Sequence, residues 1–441
     1  MRVLDLFSGC GGFSLGFKTA GFAILNHIEV DKSSYNTAQL NIETLGNKNG
    51  CLDIRTFHPD KGTSIDVIIG GPPCQAYSLA GRGKISSLKG FKKAHLNDYR
   101  GSLYLEFVRV VEEAKPKALV MENVPEIMSY GNVDVPEKIC NLLSNQGYNC
   151  KFTILNAAEY GVPQYRERFF LIGIKEGLGE PIFPEPTHSI PDDKKSGRTR
   201  ISNYIGKSRS SFAVQAPISS SQNSLPVCIN TFEALDDLPY LSTFNGGSWK
   251  CSNTVRMDYK SDPHSAYAKL MRNWPGLPVS EYSTANASRN TPRDFPIFAR
   301  MKEGDKYPEA NEIAMDIFNE KIESYTELAG KKPSGELLEK IRSETVPPYS
   351  TEKFPDKWRK LDKNQPSHTV VAHLGIDTYS HIHYDSTIAR GVTVREAARL
   401  QSFPDSYKLP ASLSDAYKQI GNAVPPLLAY HLAMALKKSL E

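Results

Sequence analysis

The sequence predicts an α/β fold: a largely parallel, twisted sheet covered by helices, with a smaller irregular domain attached. Three observations point to it. Short apolar β-type runs alternate with helical segments from residue 1 to about 175, the alternation stops between about 180 and 390, and strong helical signals return in the tail. Such alternation marks crossover helices packed on a parallel sheet, whose strands bury both faces.

The elements follow in order. Residues 3–7, 24–29, 65–69, 118–122 and 169–174 are short apolar runs of strand type. Between the last two and the third lies "SLYLEFVRVVEEAK", whose apolar positions Leu103, Phe107, Val110 and Val111 recur at a helical period. From about 180 to 390 come Pro-rich and Ser-rich connections, "PIFPEPTHSIP" and "SRSSFAVQAPISSSQNS", with patchy periodicity, as in an irregular domain with long loops. In "TVREAARLQSF", Thr393 and Glu396 have capping-box spacing, and Val394, Ala397 and Ala398 share one face of the helix that follows. No internal repeat is present.

A chain of 441 residues with 40% hydrophobic and 23% charged residues has the composition of a globular protein. No run approaches the roughly 20 apolar residues of a membrane span, and "MRVLDLFSG" enters a strand pattern directly, so a cytoplasmic location without a signal peptide is expected. A net charge of +4 spread over this length argues little about a polyanionic partner; local clusters must do so. The seven cysteines (10, 51, 74, 140, 150, 228 and 251) form no C-x-x-C and have no His at ligand spacing. Reduced thiols and no metal are expected.

"LDLFSGCGGFSLGF" places glycines 9, 11, 12 and 16 between the first strand and the first helix. Glycine permits a tight turn and close approach to the backbone, and the N–H groups of a helix start favour an anionic group. Glu29 ends the second strand twenty residues after Gly9, where an acid can hydrogen-bond a ribose diol. The G-x-G-x-x-G fit is imperfect, because Gly12 follows Gly11 directly; with the strand before it and Glu29 after it, the turn points to an adenosyl-type ligand. Asp53, in "CLDI", is expected at the end of the third strand, either accepting from an adenine amino group or solvated in a loop.

"GGPPCQAYS", residues 70–78, presents Cys74 beyond the carboxyl end of a strand, where open α/β sheets bind ligands. Pro72 and Pro73 stiffen that loop, which is useful for aiming a side chain; a small buried thiol is the other reading. "VMENV" puts Glu122 beyond the next strand, and "QYRERFF" sets Arg166 and Arg168 on one side of an extended segment. Together these bring a thiol, a carboxyl group and cationic donors to one sheet edge. Residues 79–100 carry Arg82, Lys84, Lys89, Lys92, Lys93 and Arg100 against Asp98, with glycines 81, 83 and 90 as hinges. They read as a mobile lid over nucleic acid or as a surface loop.

These blocks resemble the cytosine-C5 DNA methyltransferases, in the manner of a prokaryotic type II modification methylase. "DLFSGCGGFSLGF", Glu29, "GGPPCQAYS", "ENV", "QYRERF", "RGVTVREAARLQSFP" and "QIGNAVPP" occur in that family's order, over residues 1 to about 175 and 365–441. Tyr77 and Cys10 are mild departures from the usual Phe and Ala.

The resemblance implies a Rossmann-like S-adenosylmethionine-dependent fold with a target-recognition domain. Residues 1–178 and 405–441 would form a discontinuous catalytic domain, 179–389 the recognition domain, and 390–404 a bridging helix. Cys74 would attack C6 of a flipped cytosine, Glu122 protonate N3, Arg168 donate to O2, and Arg166 support the site or a nearby phosphate. The cofactor would lie against Phe7, Ser8, Gly9, Gly11, Gly12, Glu29, Asp53, Ile54 and Pro73, with Asn422 and Val424 returning to the pocket. Gln75, Ser78, Arg82, Lys84 and Lys89 would meet DNA.

In the recognition segment, "NASRNTPRDFPIFARMK" offers Arg289, Arg293 and Arg300 to bases or phosphates, or as plain surface charge. The expected partners are double-stranded DNA and a cognate restriction endonuclease; the expected state is a monomer, associated with the nucleoid when bound. A tRNA methyltransferase of the same chemistry and a non-catalytic DNA-binding relative are the alternatives. A dehydrogenase leaves the Cys74 loop unexplained.

Overall fold

The computed structural model describes residues 1–41, 51–73, 103–129, 134–191, 205–218, 224–243, 253–375 and 379–441. Its first part runs β1 (Arg2–Leu6), α1 (Gly12–Thr19), β2 (Ala23–Ile28), α2 (Lys32–Leu40), β3 (Val67–Gly70), α3 (Leu103–Ala114), β4 (Ala118–Asn123), α4 (Val135–Ser144), β5 (Tyr148–Asn156), β6 (Gln164–Tyr165) and β7 (Glu167–Lys175). Six strands form the central sheet in the order β2-β1-β3-β4-β7-β5. The first four are parallel, and β7 lies antiparallel between β4 and β5.

The continuous apolar runs of these strands arise because both sheet faces are covered. On one face Leu4, Leu6, Ile68, Leu119 and Met121 pack under Phe107, Val110 and Val111 of α3 and Ile139 and Leu143 of α4. On the other, Val3, Val67, Ile69 and Val120 pack under Phe13 and Phe17 of α1 and under Leu428, Leu432 and Leu436 near the C-terminus. β5 is a strand the sequence pattern did not reveal; its first half alternates buried and half-buried residues and its second half is solidly buried.

Further along come α5 (Thr231–Leu235), α6 (Ala266–Arg272), α7 (Phe295–Arg300), α8 (Tyr307–Ala329), α9 (Glu336–Ser343), β8 (Trp358–Lys360), β9 (Ser367–His368), β10 (Tyr379–Ile382), α10 (Val394–Leu400), α11 (Leu413–Asn422) and α12 (Pro426–Ser439). The segment expected to be irregular therefore holds a helix of 23 residues, α8, which buries a stripe of Tyr307, Ala310, Ala314, Ile317 and Phe318.

The Thr393 and Glu396 side chains form the expected capping box at the start of α10. Burial goes beyond the face shared by Val394, Ala397 and Ala398: every residue from Val394 to Leu400 is buried, and the helix carries its charges inside. Arg399 forks between Asp405 (Nη2 to Oδ2, 2.6 Å) and Asp237 (Nη2 to Oδ2, 3.1 Å). Arg390 grips both oxygens of Glu396 at 2.8 Å. Burial alone would raise the Glu396 pKa, but Arg390 outweighs it and holds the carboxyl at about 2. The Arg399–Asp237 bond fastens α10 to the segment around α5, and removing one partner of such a pair strands a buried charge.

Helix α12 closes the second sheet face by packing against α1 backbone to backbone. A Cβ built on Gly16 falls 2.4 Å from the Cβ of Ala429 and 2.5 Å from the carbonyl of Pro426. Only glycine allows that approach.

Candidate active site

At the carboxyl end of β1 the chain reverses through three left-handed residues, Phe7 (φ 59°), Gly9 (φ 55°) and Gly11 (φ 87°). For Phe7, which has a Cβ, this conformation costs about 1–3 kcal/mol and persists only where neighbours hold it. They do. Ser8 N–H donates to the carbonyl of Ile28 (3.2 Å), Gly11 N–H to that of Ser8 (2.9 Å), and Gly9 N–H to Glu29 Oε2 (2.8 Å).

Glu29 follows β2 directly, and its other oxygen accepts from Asp31 N–H at 2.7 Å. Each carboxylate oxygen keeps a second lone pair, which suits a diol donor. Burial raises the Glu29 pKa, against the pull of the two N–H donors. No atom of the described residues lies within 4 Å of where a Gly9 Cβ would be, whereas one on Gly12 would meet the Val424 carbonyl at 2.5 Å. Gly12 is thus explained by close packing of the C-terminal segment rather than by ligand approach. Ser8 Oγ is buried and has no hydrogen-bond partner among the described residues. An orphaned hydroxyl, an open glycine turn and a fixed carboxylate fit the ribose and the methionine portion of S-adenosylmethionine.

The expected place of Asp53 is corrected. The third strand is Val67–Gly70, and Asp53 instead caps a 3-10 turn at Ile54–Thr56. It is brought beside Glu29 because Leu52 N–H donates to the Glu29 carbonyl at 2.8 Å. Hydrogen bonds from Arg55, including Nε to Oδ1 at 3.0 Å, hold its carboxyl below the usual range. Ile54 is buried with Leu6 and Ile28, and Phe7 packs on the same cluster. Pro73 is half-buried, Val424 buried, and Asn422 exposed at the end of α11.

The second set of residues lies at the ends of β3, β4 and β7. Arg168 Nε meets Glu122 Oε1 at 2.9 Å, both side chains mostly shielded. The Arg168 Nη1 donates to the Glu167 carbonyl at 2.7 Å. Burial dominates at Glu122, so its pKa is raised although Arg168 and Arg166 pull it down. The carboxyl is therefore disposed to hold a proton.

The two glycines of "GGPPC" now have reasons. A Cβ on Gly70 would fall 2.4 Å from the Leu6 carbonyl, and one on Gly71 would fall 2.9 Å from Glu122 Oε2. Asn123 Nδ2 donates to the Pro72 carbonyl at 3.2 Å, tying the loop after β3 to the end of β4. Cys74, Gln75, Ser78, Arg82, Lys84 and Lys89 lie outside the described residues, which reach Pro73 on this side.

Arg166 makes hydrogen bonds of its own, apart from the Glu122–Arg168 contact. It lies between β6 and β7, fully buried, and donates to the carbonyls of Val370 (3.0 Å), Gly421 (2.9 Å) and Ala423 (3.1 Å). That is support for the site's framework, and burial keeps the guanidinium from an external phosphate. Among the recognition-segment arginines, Arg293 Nε is paired with Asp294 (2.6 Å) and Arg300 Nη1 with Glu320 (2.6 Å). Arg289 lies over the ring of Tyr379, 5.3 Å from its centroid.

Sequence reasoning missed Gly71, Asn123 and Gln164 as positioning residues. Gln164 Nε2 donates to the Leu400 carbonyl (2.9 Å) and to Gln401 Oε1 (2.6 Å), and its own oxygen accepts from Val370 N–H (2.8 Å). For Asn123 the available signal was a buried-type strand, β4, ending in an amide that must find partners inside.

A sheet with a lone antiparallel strand, a glycine turn after β1 and an acid after β2 defines the S-adenosylmethionine-dependent methyltransferase class. Within it, the chain belongs to the C-5 cytosine-specific DNA methylases, whose family model matches residues 1–438. It is 42% identical to M.OihORF3336P of Oceanobacillus iheyensis, over 100% of this chain and 96% of that one. It is 31% identical to the type II methyltransferase M.DdeI of Desulfomicrobium norvegicum, over 98% of this chain and 88% of that one. Among solved structures, a candidate DNA modification methyltransferase encoded in an E. coli prophage shares the fold, with TM-score 0.64 at 23% identity over 100% of this chain and 99% of that one. The activity is that of a DNA cytosine-5 methyltransferase of the type II restriction-modification group, and its methyl donor is S-adenosylmethionine.

Proposed function

We propose that the chain methylates carbon 5 of a cytosine within one specific double-stranded DNA sequence, as the modification half of a restriction-modification system or as an orphan or phage methylase. The observation that carries this reading is the Glu122–Arg168 pair, a shielded carboxyl biased towards its acid form and set against the loop that leads to Cys74.

C5 of cytosine is a poor nucleophile until a sulfur adds at C6. The Cys74 thiolate forms the S–C6 bond, the ring electrons move towards N3 and C5, and Glu122 delivers a proton to N3. Arg168 donates to O2 and is itself oriented by Glu122 and the Glu167 carbonyl. Bound S-adenosylmethionine supplies the electrophilic sulfonium methyl. Loss of the C5 proton then lets the S–C6 bond break and restores the thiolate. A paired base cannot present C6 to sulfur, so the target is flipped out of the stack; residues 79–100, read from the sequence as a lid, lie outside the described residues.

Glu29 holds the ribose, with Ser8 and the Gly9 to Gly12 turn at the methionine side, Phe7 at the adenine or sulfonium, Asp53 and Ile54 at the adenine, Pro73 along one wall, and Asn422 and Val424 returning to the pocket. Residues 1–178 and 405–441 form the catalytic unit, 179–389 the recognition domain and 390–404 the bridge. The packing of α12 on α1 supports that division. The protein works as a cytoplasmic monomer on nucleoid DNA, with an endonuclease acting on the same site where it is the modification half of such a pair. Bisulfite sequencing of DNA from a methylation-free host expressing the protein tests the reading. One short methylated sequence is expected; a folded, cofactor-binding protein that leaves DNA unmethylated overturns it.

A further inference from the structure

We infer that Gln401 is a positioning residue for the cofactor, whose side-chain amide fixes the backbone wall that closes the glycine turn; this rests on the placement of S-adenosylmethionine at that turn proposed above. The wall is the connector between α11 and α12, residues 422–425. Asn422 is exposed, Ala423 is half-buried, and the Val424 carbonyl lies 2.5 Å from where a Gly12 Cβ would be. The chain leaves α11 in an extended conformation (Ala423 φ −69°, ψ 150°), so carbonyls there lose their helical partners and must find others. Side chains provide them. Gln401 Nε2 donates to the Ala423 carbonyl at 2.6 Å, and Arg166 Nη2 donates to the same oxygen at 3.1 Å and to that of Gly421 at 2.9 Å.

Gln401 is held rigidly for this task. It is fully buried and directly follows α10, whose last turn is anchored by the ion pairs of Arg399 with Asp237 and Asp405. Its neighbour Ser402 has a left-handed backbone (φ 62°), a costly conformation for a residue with a Cβ. That turn aims two side chains at the same stretch: Ser402 Oγ accepts from Leu427 N–H at 3.2 Å, while Gln401 takes Ala423. Gln401 Oε1 in turn accepts from Gln164 Nε2 at 2.6 Å. Gln164 leads into Arg166 and Arg168, so one amide relay joins the catalytic edge to the cofactor wall.

Both ends of the relay keep a second partner without Gln401. Gln164 Nε2 retains the Leu400 carbonyl (2.9 Å), and the Ala423 carbonyl retains Arg166. Gln401→Met, of similar length, therefore breaks the link without orphaning either buried group. The fold should stand while the connector loses one of its two guides.

The test is calorimetric titration of the full-length protein with S-adenosylmethionine, for wild type, Gln401→Met and Gln401→Glu. The Glu carboxylate can still accept from Gln164 but sets an oxygen against the Ala423 carbonyl. Kd should rise about 3- to 10-fold in Gln401→Met, the worth of one hydrogen bond, and at least as far in Gln401→Glu, with stoichiometry unchanged. KM for S-adenosylmethionine should rise with Kd, and kcat at saturating cofactor should stay within about twofold of wild type. Damage to the fold would instead lower the stoichiometry and kcat at an unchanged Kd, which would overturn the inference, as would a wild-type Kd in both variants. Glu29→Gln is titrated alongside. If it binds more weakly and the Gln401 variants do not, only the role of Gln401 falls; if its Kd is also that of wild type, the placement of the cofactor falls with it.

Discussion

Replacing Glu122 by Gln changes one property of the site at nearly constant shape. The amide oxygen can still accept from Arg168 Nε, now at 2.9 Å from Oε1, so the contact survives and the transferable proton does not. Burial already biases Glu122 towards its neutral form, so the substitution should alter folding stability by no more than about 1 kcal/mol. Loss of a positioned general acid should slow methyl transfer about 10²- to 10⁴-fold, or about 3–5 kcal/mol of barrier. Single-turnover transfer of labelled methyl groups across neutral pH is the assay. With the wild-type enzyme the rate should decline as pH rises through the raised Glu122 pKa, because the acid form is what acts. Glu122→Gln should lack that declining limb. A variant within about threefold of wild type that retains the decline would refute Glu122 as the proton donor.

Two further predictions concern the cofactor turn. Glu29→Gln points an amide NH₂ at either Gly9 N–H or Asp31 N–H, and S-adenosylmethionine should bind about 10- to 100-fold more weakly by calorimetry; an unchanged Kd would remove Glu29 from the site. Wild-type affinity should also fall as pH drops through the raised Glu29 pKa, since the carboxylate is the acceptor. Beneath the turn, Asp5 accepts from Ser14 Oγ at 2.6 Å and lies 3.9 Å from His27 Nδ1. Burial pushes its carboxyl up to about 7, against the Ser14 hydrogen bond and with the Glu29 charge adding to the rise. The folded state therefore holds this proton more tightly than the unfolded chain, so the associated stability is full below the unfolded value near pH ~4 and lost as pH rises through about 7. By pH ~8 the loss is on the order of 4 kcal/mol. Asp5→Asn, which can still accept from Ser14, should flatten the denaturant midpoint against pH; an identical slope in both proteins would contradict the assignment.

The parallel core was legible because its strands are buried on both faces, so composition alone marks them: Val67, Ile68 and Ile69 have nowhere to be polar. The Thr393 and Glu396 capping box was equally local and was found for that reason. β5 escaped because Asn149 and Lys151 interrupt its apolar run. The stripe of α8 escaped because two of its five buried positions are alanines, which carry little hydrophobic signal. Asp53 was misplaced because a capping aspartate and a strand-end aspartate look alike without their partners. The site's framework is less local still. Arg166 reaches carbonyls more than 200 residues away, and Gly12 is glycine because Val424 comes back to it. No window of sequence holds both halves of such a contact.

Covalent capture of Cys74 tests the mechanism most directly. A target duplex with 5-fluorocytosine at the methylated position admits addition at C6 and methyl transfer at C5, but fluorine cannot leave as the C5 proton does, so the S–C6 bond persists. An active enzyme should form a denaturation-stable DNA adduct that peptide mapping assigns to Cys74. An active enzyme that forms no adduct on such a duplex, or forms it at another side chain, would contradict the covalent mechanism.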